Sequence, residues 1–289
     1  MILQETYRLE NGVQIPKLGL GTWFIEDENA AEAVRDAVAA GYRLIDTAQA
    51  YGNERGVGKG VRTCGLPREQ LFVTSKVAAE AKSYEAAARS IDETLAKMGL
   101  EYLDMMIIHS PQPWAEFRVE KRYFVENKEV WRALEDAYAA GKLRAIGVSN
   151  FLRDDLENLL EDCRIKPMVN QILLHITNTD RALLDFCREQ GILVEAYSPI
   201  AHGEALKNSA IIQMARKSDV TPAQLCIRYV LQLGTVALPK TANPAHMRDN
   251  GAVDFQISPE DMQTLEEMKK IESYGEFDIF PVFSGKPLG

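Results

Sequence analysis

The sequence predicts an α/β protein, a (β/α)8 TIM barrel, and three observations carry that expectation. Short apolar runs alternate with helical patterns from end to end, the runs number eight, and each is nearly continuous in its hydrophobicity, as strands covered on both faces must be. A doubly wound sheet is the alternative architecture. Parallel barrels reach 289 residues as one unit and no Ser/Gly/Pro-rich linker breaks this chain, so residues 1–289 are expected to form a single domain.

The N-terminal "YRLENGVQIP" reads as a β-hairpin turning at Asn11-Gly12, placed to plug the N-terminal end of the barrel. The strands are then "KLGLGT", "YRLIDTA", "LFVTSKV", "LDMMIIHS", "RAIGVSN", "MVNQILL", "LVEAYSP" and "VALPKT". In "SYEAAARSIDETLAKMG", Ser83 suits an N-cap, Ala88, Ile91, Leu95 and Met98 share one helical face, and Gly99 can end the helix. The segment "NKEVWRALEDAYAAG" repeats the design, with Val130, Trp131, Leu134 and Tyr138 inward and Gly141 as the stop. Three long stretches read as irregular: "SPQPWAEFRVEKRYFVEN" after the fourth strand, "SPIAHGEALKN" after the seventh, and the tail "ESYGEFDIFPVFSGKPLG". On a barrel's C-terminal face such loops carry substrate contacts, and the tail is expected to lie over that face.

A formal charge of -9 argues against a general nucleic-acid binder, because phosphate rewards a basic surface. The opening "MILQETYRLE" lacks the charged start and apolar run of a signal peptide, and no stretch approaches about 18 apolar residues in a row. A cytoplasmic, monomeric protein without membrane partners is therefore expected. The four cysteines, Cys64, Cys163, Cys187 and Cys226, are scattered without a CxxC pair, so neither a disulfide framework nor a metal site is expected.

The strands finish on polar residues: Thr22, Asp46, Lys76, His109, Ser149 with Asn150, Gln171, Tyr197 with Ser198, and Lys240. In a barrel these ends form one ring at the C-terminal face. Asp46, Lys76 and His109 end successive strands, and Tyr51 stands in the loop just after the second. A tyrosine alone is a poor acid at neutral pH, with a pKa near about 10. The Lys76 ammonium is expected to lower that value, Asp46 to hold the lysine charged and aimed, and His109 to orient a carbonyl oxygen. His175, His202 and Asp104-Met105 read as structural.

A proton donor at a carbonyl needs a hydride or nucleophile beside it. There is no GxGxxG after a strand and no Walker A motif; "GVGKG" at 56–60 reads as helix. After the eighth strand, however, "LPKTANPAHMRDN" places Lys240 and Thr241 before a helix that Asn243 can cap and Pro244 can open, an anion site where barrels commonly take phosphate. Tyr197 can stack on a flat ring, and Ser149, Asn150 and Gln171 offer groups that match an amide. Together these describe a nicotinamide dinucleotide site.

The chain resembles the aldo-keto reductase family over nearly its whole length, through "LGLGTW", "DTAQAYGNE", "VTSK", "LDMMIIHSP", "GKLRAIGVSNF", "VNQ", "EAYSP" and "LPKTANP". The resemblance implies Tyr51 as general acid supported by Lys76, Asp46 and His109, with NADPH, or less often NADH, bound on the barrel face. It implies that Ser149, Asn150 and Gln171 hold the carboxamide and that Tyr197 stacks on the nicotinamide. Ser198 and Thr241 would face phosphates and Asn250 the adenine, while Gly21, Thr22, Trp23, Pro199, Ile200, Lys240 and His246 complete the cofactor contacts. Trp23, Ala50, Ser110 and Trp114 are the expected substrate contacts.

This sequence departs from its relatives in several places. Many carry tryptophan where Ser110 follows the histidine, and Ala50 is small, so a roomier mouth is expected. "ILLHITN" replaces a Tyr-His-Pro type of sequence, and His246 stands where relatives commonly have arginine. The expected activity is NAD(P)H-dependent reduction of an aldehyde or ketone. The rival readings are a Schiff-base aldolase using Lys76 and a nucleotide-sensing barrel without useful turnover.

Overall fold

The structure is a computed structural model and describes residues 1–288. Two short strands, β1 (Thr6–Arg8) and β2 (Gln14–Pro16), pair antiparallel as the expected hairpin. Leu9 and Ile15 of the hairpin join Leu44, Phe72, Met105, Ile107, Val169, Val236 and Leu238 in a single buried cluster. Those partners alternate along the barrel strands, so the hairpin closes the barrel's N-terminal end.

Eight strands follow: β3 (Gly19–Gly21), β4 (Leu44–Asp46), β5 (Phe72–Val77), β6 (Met105–Ile108), β7 (Ile146–Ser149), β8 (Val169–Leu173), β9 (Leu193–Tyr197) and β10 (Val236–Leu238). They pair in parallel in chain order from β3 to β10. The first and last meet through Gly21 N on Pro239 O at 3.0 Å and Ala237 N on Lys17 O at 2.9 Å. All eight apolar runs thus became strands of a (β/α)8 TIM barrel.

Around them lie α1 (Asp27–Ala39), α2 (Glu54–Thr63), α3 (Tyr84–Met98), α4 (Phe124–Ala139), α5 (Arg153–Asp162), α6 (Arg181–Glu189), α7 (Ser209–Lys217), α8 (Pro222–Gln232), α9 (Pro244–Gly251) and α10 (Pro259–Glu266), with a short α11 (Pro281–Ser284) in the tail. Ser83 caps α3 by accepting from Ala86 N at 3.2 Å, and Gly99 ends it with φ 65°. Asn243 caps α9 by accepting from Ala245 N at 2.9 Å, with Pro244 opening the helix.

One boundary differs from the sequence reading. Helix α4 begins at Phe124, inside the stretch read as irregular. Its cap position is Tyr123, which makes no side-chain capping bond, so the start carries no polar signal.

The glycines of "GVGKG" lie in α2, and their role is close packing. A Cβ on Gly56 would strike the Asp27 carbonyl of α1, and one on Gly58 would strike the Met98 backbone of α3. With hydrogen there instead, α2 sits against two neighbours at backbone distance.

Candidate active site

The second strand ends in charge because β4 delivers Asp46 to the floor of a cavity. Lys76, on the adjoining β5, is 1% exposed and reaches across to it. The lysine Nζ donates to both Asp46 oxygens, at 2.6 Å to Oδ1, to Thr47 O at 2.8 Å and to the Tyr51 hydroxyl at 3.3 Å. His109, from the end of β6, meets the Tyr51 ring edge-on at 5.6 Å. Strands β4, β5 and β6 therefore bring the four residues together.

Sequence reasoning passed over the groups that hold Tyr51 in place. Asn53 accepts from Thr47 Oγ1 at 2.7 Å and donates to Thr22 O at 2.9 Å and Ile25 O at 2.8 Å. The buried Glu54 carboxylate accepts from Ser75 at 2.6 Å, from Thr94 at 3.0 Å and from Lys97 at 3.0 Å. On the other side, Gln49 accepts from Ala78 N at 2.8 Å and donates to Ser90 O at 3.1 Å. The loop bearing the phenol is pinned before and after it, and Gly52 makes the turn with φ 71°.

Electrostatically, burial alone would pull the Lys76 pKa down, but the Asp46 carboxylate and the phenol hold it above its ordinary value. Burial pushes Asp46 up, opposed by Lys76 and by a hydrogen bond from Gln171. Tyr51 corrects the expectation from sequence: burial raises its pKa, and Lys76 offsets only part of that. The phenol is thus kept protonated in the resting protein. Burial and the nearby lysine hold His109 well below the usual histidine range, so its ring is neutral. His109 Nδ1 is buried without a partner among the described residues, which leaves Nε2 on the cavity side.

The cavity measures about 480 Å³. Of the expected contacts, Gly21, Thr22, Trp23, Ala50, Trp114, Ser149, Asn150, Gln171, Tyr197, Ser198, Ile200 and Lys240 line it beside Asp46, Tyr51 and His109. Asn150 spends its amide on protein partners, donating to His109 O at 3.0 Å and Ser149 Oγ at 3.1 Å while accepting from the Tyr197 hydroxyl at 2.8 Å. It braces the Tyr197 ring, which keeps a face for a flat ligand. Gln171 points its amide nitrogen at Asp46 Oδ1 (3.2 Å) and Glu195 Oε2 (2.9 Å), leaving its oxygen as the group a ligand can meet.

Ser110 is a correction. It is fully buried and does not line the cavity: its Oγ accepts from Gln112 N at 3.3 Å and its carbonyl accepts from Lys82 Nζ at 2.9 Å. The wall beside His109 is Trp114, whose ring lies edge-on at 5.2 Å. Pro199, Thr241, His246 and Asn250 also lie outside the lining. Thr241 Oγ1 accepts from Asn243 N at 3.0 Å, His246 is exposed on α9, and Asn250 is buried on that helix beside Met247.

His202, read as structural, is a wall of the cavity. It packs against Trp23 at 5.3 Å and Phe277 at 4.1 Å, and burial brings its pKa down to about 4. It lies in a loop where Ser198, Ala201 and His202 all hold positive φ, backbone strain of the kind found at ligand clamps. The tail does cross the face, contributing Phe277, Phe280, Pro281, Val282 and Leu288, and Leu288 N donates to Trp114 O at 2.9 Å. His175, by contrast, is structural: its ring joins Ile176 O to the Tyr274 hydroxyl, 2.9 Å away, and so ties the tail to the loop after β8.

Residues 17–270 match the family model described as the aldo/keto reductase family. The chain belongs to the aldo/keto reductase family. It is 42% identical over 275 residues to a glyoxal reductase of Bacillus subtilis, covering 94% of this chain and 96% of that protein. It is 41% identical to a 9,11-endoperoxide prostaglandin H2 reductase of Trypanosoma cruzi, over 92% of each. Among solved structures, an aldo/keto reductase from Brucella melitensis superposes with a TM-score of 0.86 at 34% identity, covering 92% of this chain and 98% of that one. An aldo-keto reductase from Bombyx mori in complex with NADP gives 0.84 at 29% identity, over 95% of each chain.

As an aldo/keto reductase the protein is an oxidoreductase that reduces carbonyl groups of small molecules with a nicotinamide cofactor. Nothing favours the aldolase: Lys76 is engaged by Asp46, Thr47 and Tyr51 and held above its ordinary pKa, the reverse of what a Schiff-base amine needs. Among the described residues, no helix is long and apolar enough to cross a membrane.

Proposed function

We propose that this reductase uses NADPH to reduce uncharged aldehydes and α-dicarbonyls with apolar bodies, with Tyr51 as the proton donor. The observation that carries the reading is the Tyr51 hydroxyl, facing the cavity within 3.3 Å of a buried ammonium and beside a neutral His109. When bound, the cofactor supplies the hydride. Tyr51 gives its proton to the oxygen that gains charge, Lys76 stabilises the phenolate left behind, and Asp46 keeps Lys76 charged and aimed. His109, in the tautomer protonated at Nε2, donates to the same oxygen and fixes its approach.

The donor set fits the cofactor. Tyr197 offers a braced aromatic face, Gln171 an amide oxygen, and Lys240 a cation next to the capped N-terminus of α9, which suits phosphate. The substrate end is walled by Trp23, Trp114, Phe280, Val282 and Leu288, and the cation on the lining, Lys240, belongs to the anion end. This supports neutral apolar substrates over keto acids, and the relative named a glyoxal reductase supports including small dicarbonyls. We also read the enzyme as a monomer.

The test follows NADPH oxidation with aromatic aldehydes, α-dicarbonyls and α-keto acids, in wild type and Tyr51→Phe. Aldehydes and dicarbonyls should exceed keto acids in kcat/KM. Tyr51→Phe should lose more than about a hundredfold in kcat, with NADPH affinity nearly intact. A turning-over Tyr51→Phe enzyme would falsify the proton-donor role, and a preference for keto acids would remove the substrate assignment.

A further inference from the structure

Beneath the cavity floor lies a carboxyl that the proposed chemistry does not use. Glu195 on β9 is fully buried, stands opposite Gln171 of β8 in register, and faces the interior of the barrel. Its Oε2 accepts from Gln171 Nε2 at 2.9 Å, and that nitrogen also donates to Asp46 Oδ1 at 3.2 Å. Asp46 holds Lys76, and Lys76 touches the Tyr51 hydroxyl. A continuous hydrogen-bonded chain therefore runs from Glu195 through Gln171, Asp46 and Lys76 to Tyr51, drawing on strands β9, β8, β4 and β5 in turn.

We infer that Glu195 is a positioning residue for the reduction, a neutral carboxylic acid that acts through Gln171 on the Asp46–Lys76 pair and so on Tyr51. The inference rests on the reading of Tyr51 as proton donor.

Glu195 has one hydrogen-bond donor, the Gln171 amide, and its Oε1 meets none among the described residues. A carboxylate with one amide donor and no cation of its own is costly to bury. The charges that face it are Asp46 from β4 and Lys76 from β5, and Lys76 is already engaged by Asp46. Burial, reinforced by the Asp46 charge, pushes the Glu195 pKa up to about 8, with Gln171 and Lys76 pulling the other way.

Two consequences follow at neutral pH. The proton on Glu195 keeps a second negative charge away from Asp46, so that Lys76 can serve the phenol. Glu195 and Asp46 together also claim the amide nitrogen of Gln171, which fixes the amide with its oxygen available to a ligand. When Glu195 ionises, the added charge stabilises the ammonium and the protonated phenol further, and proton delivery slows.

The test compares kcat/KM for aldehyde reduction by NADPH in wild type and E195Q between about pH 6 and pH 10. Glutamine keeps the shape and the acceptor for Gln171 but cannot ionise. Wild type should fall through a limb near pH 8, losing roughly tenfold beyond it. E195Q should match wild type at low pH and hold its activity at least about one pH unit further. Superimposable profiles would overturn the inference, and so would an E195Q enzyme depressed equally at every pH, the mark of a purely structural role.

Infrared spectroscopy supplies a reading that does not depend on turnover or on Tyr51. Wild type should show a protonated-carboxyl band that disappears between about pH 7 and pH 9 and is missing from E195Q. A Tyr51→Phe enzyme that still turned over, with that band in place, would sink the proton-donor role while leaving the protonation of Glu195 standing. A band absent from wild type at pH 7 would overturn the inference by itself.

Discussion

The Lys76 ammonium lies 3.3 Å from the Tyr51 hydroxyl while donating to both oxygens of Asp46. One cation thus answers to a carboxylate that keeps it charged and, in the proposed reduction, to a phenol that would need it at the moment of proton loss. Replacing it by an apolar side chain of similar length leaves Asp46 buried and unpaired. Lys76→Met is expected to lower kcat by more than about a hundredfold and to destabilise the fold by about 3 kcal/mol. Single-turnover reduction and denaturant melts measure the two effects. Activity within about fivefold of wild type would show that Tyr51 does not depend on the lysine.

On the proposed reading, substrate size is expected to be controlled by Trp114, which lines the cavity, rather than by the buried Ser110. Trp114→Ala should raise kcat/KM for bulky aldehydes relative to small ones. Ser110→Trp should leave that ratio unchanged in whatever folds and cost about 2 kcal/mol or more, because the site of Ser110 is fully packed. A Ser110→Trp enzyme that is stable and selective against bulky substrates would restore the sequence-based view of the mouth.

Cofactor choice is expected to turn on His246, which stands exposed in the first turn of α9, near the proposed phosphate site at that helix's N-terminus. Histidine carries only part of a charge at neutral pH, whereas arginine is fully charged and planar. His246→Arg is expected to widen the NADPH to NADH ratio of kcat/KM by roughly tenfold, for one charged hydrogen bond of about 1.5 kcal/mol. An unchanged ratio would place the 2′-phosphate away from this residue.

Acid stability depends on His175, whose pKa is lowered to about 4 by burial, against a hydrogen bond from its own ring to a backbone carbonyl that favours the charged form. A folded pKa below the unfolded value of about 6.5 means that the unfolded chain binds the extra proton first. Stability is therefore present above about pH 6.5 and lost as pH falls toward 4, by up to about 3 kcal/mol for this group. Glu195 leans the other way over part of that window, so the informative quantity is the difference between proteins. His175→Gln should melt lower than wild type at pH 7, and the gap should close by pH 4.5, as about half that energy per unit disappears. A gap that stays constant with pH would mean that His175 is not buried neutral.

The barrel was legible because its strands need no partner to be recognised: "LDMMIIHS" and "RAIGVSN" are apolar whatever surrounds them, and each ends on the residue that reaches the site. Asp46, Lys76 and His109 could be placed side by side from strand order alone. The rest of the site depends on contacts between distant segments. Trp114 meets the tail at Leu288, and His202 is completed by Phe277, neither of which leaves a local pattern. Glu195 was hidden because a polar residue between Val194 and Ala196 reads as ordinary alternation, and only the register with Gln171 reveals what it faces. Ser110 was misjudged because adjacency in sequence to His109 says nothing about which way the chain turns after the strand.

The bare packing of α2 against its neighbours reaches the chemistry by a mechanical route. Tyr51 sits just ahead of that helix, and Asn53 and Glu54 carry the chain from the phenol directly into its first turn. The depth at which the phenol stands is therefore gauged on the outside of the barrel, by how closely one helix can rest on the next. A single methyl group at Gly58, far from any substrate, would act as a shim, lifting the helix and tilting the hydroxyl away from its ammonium.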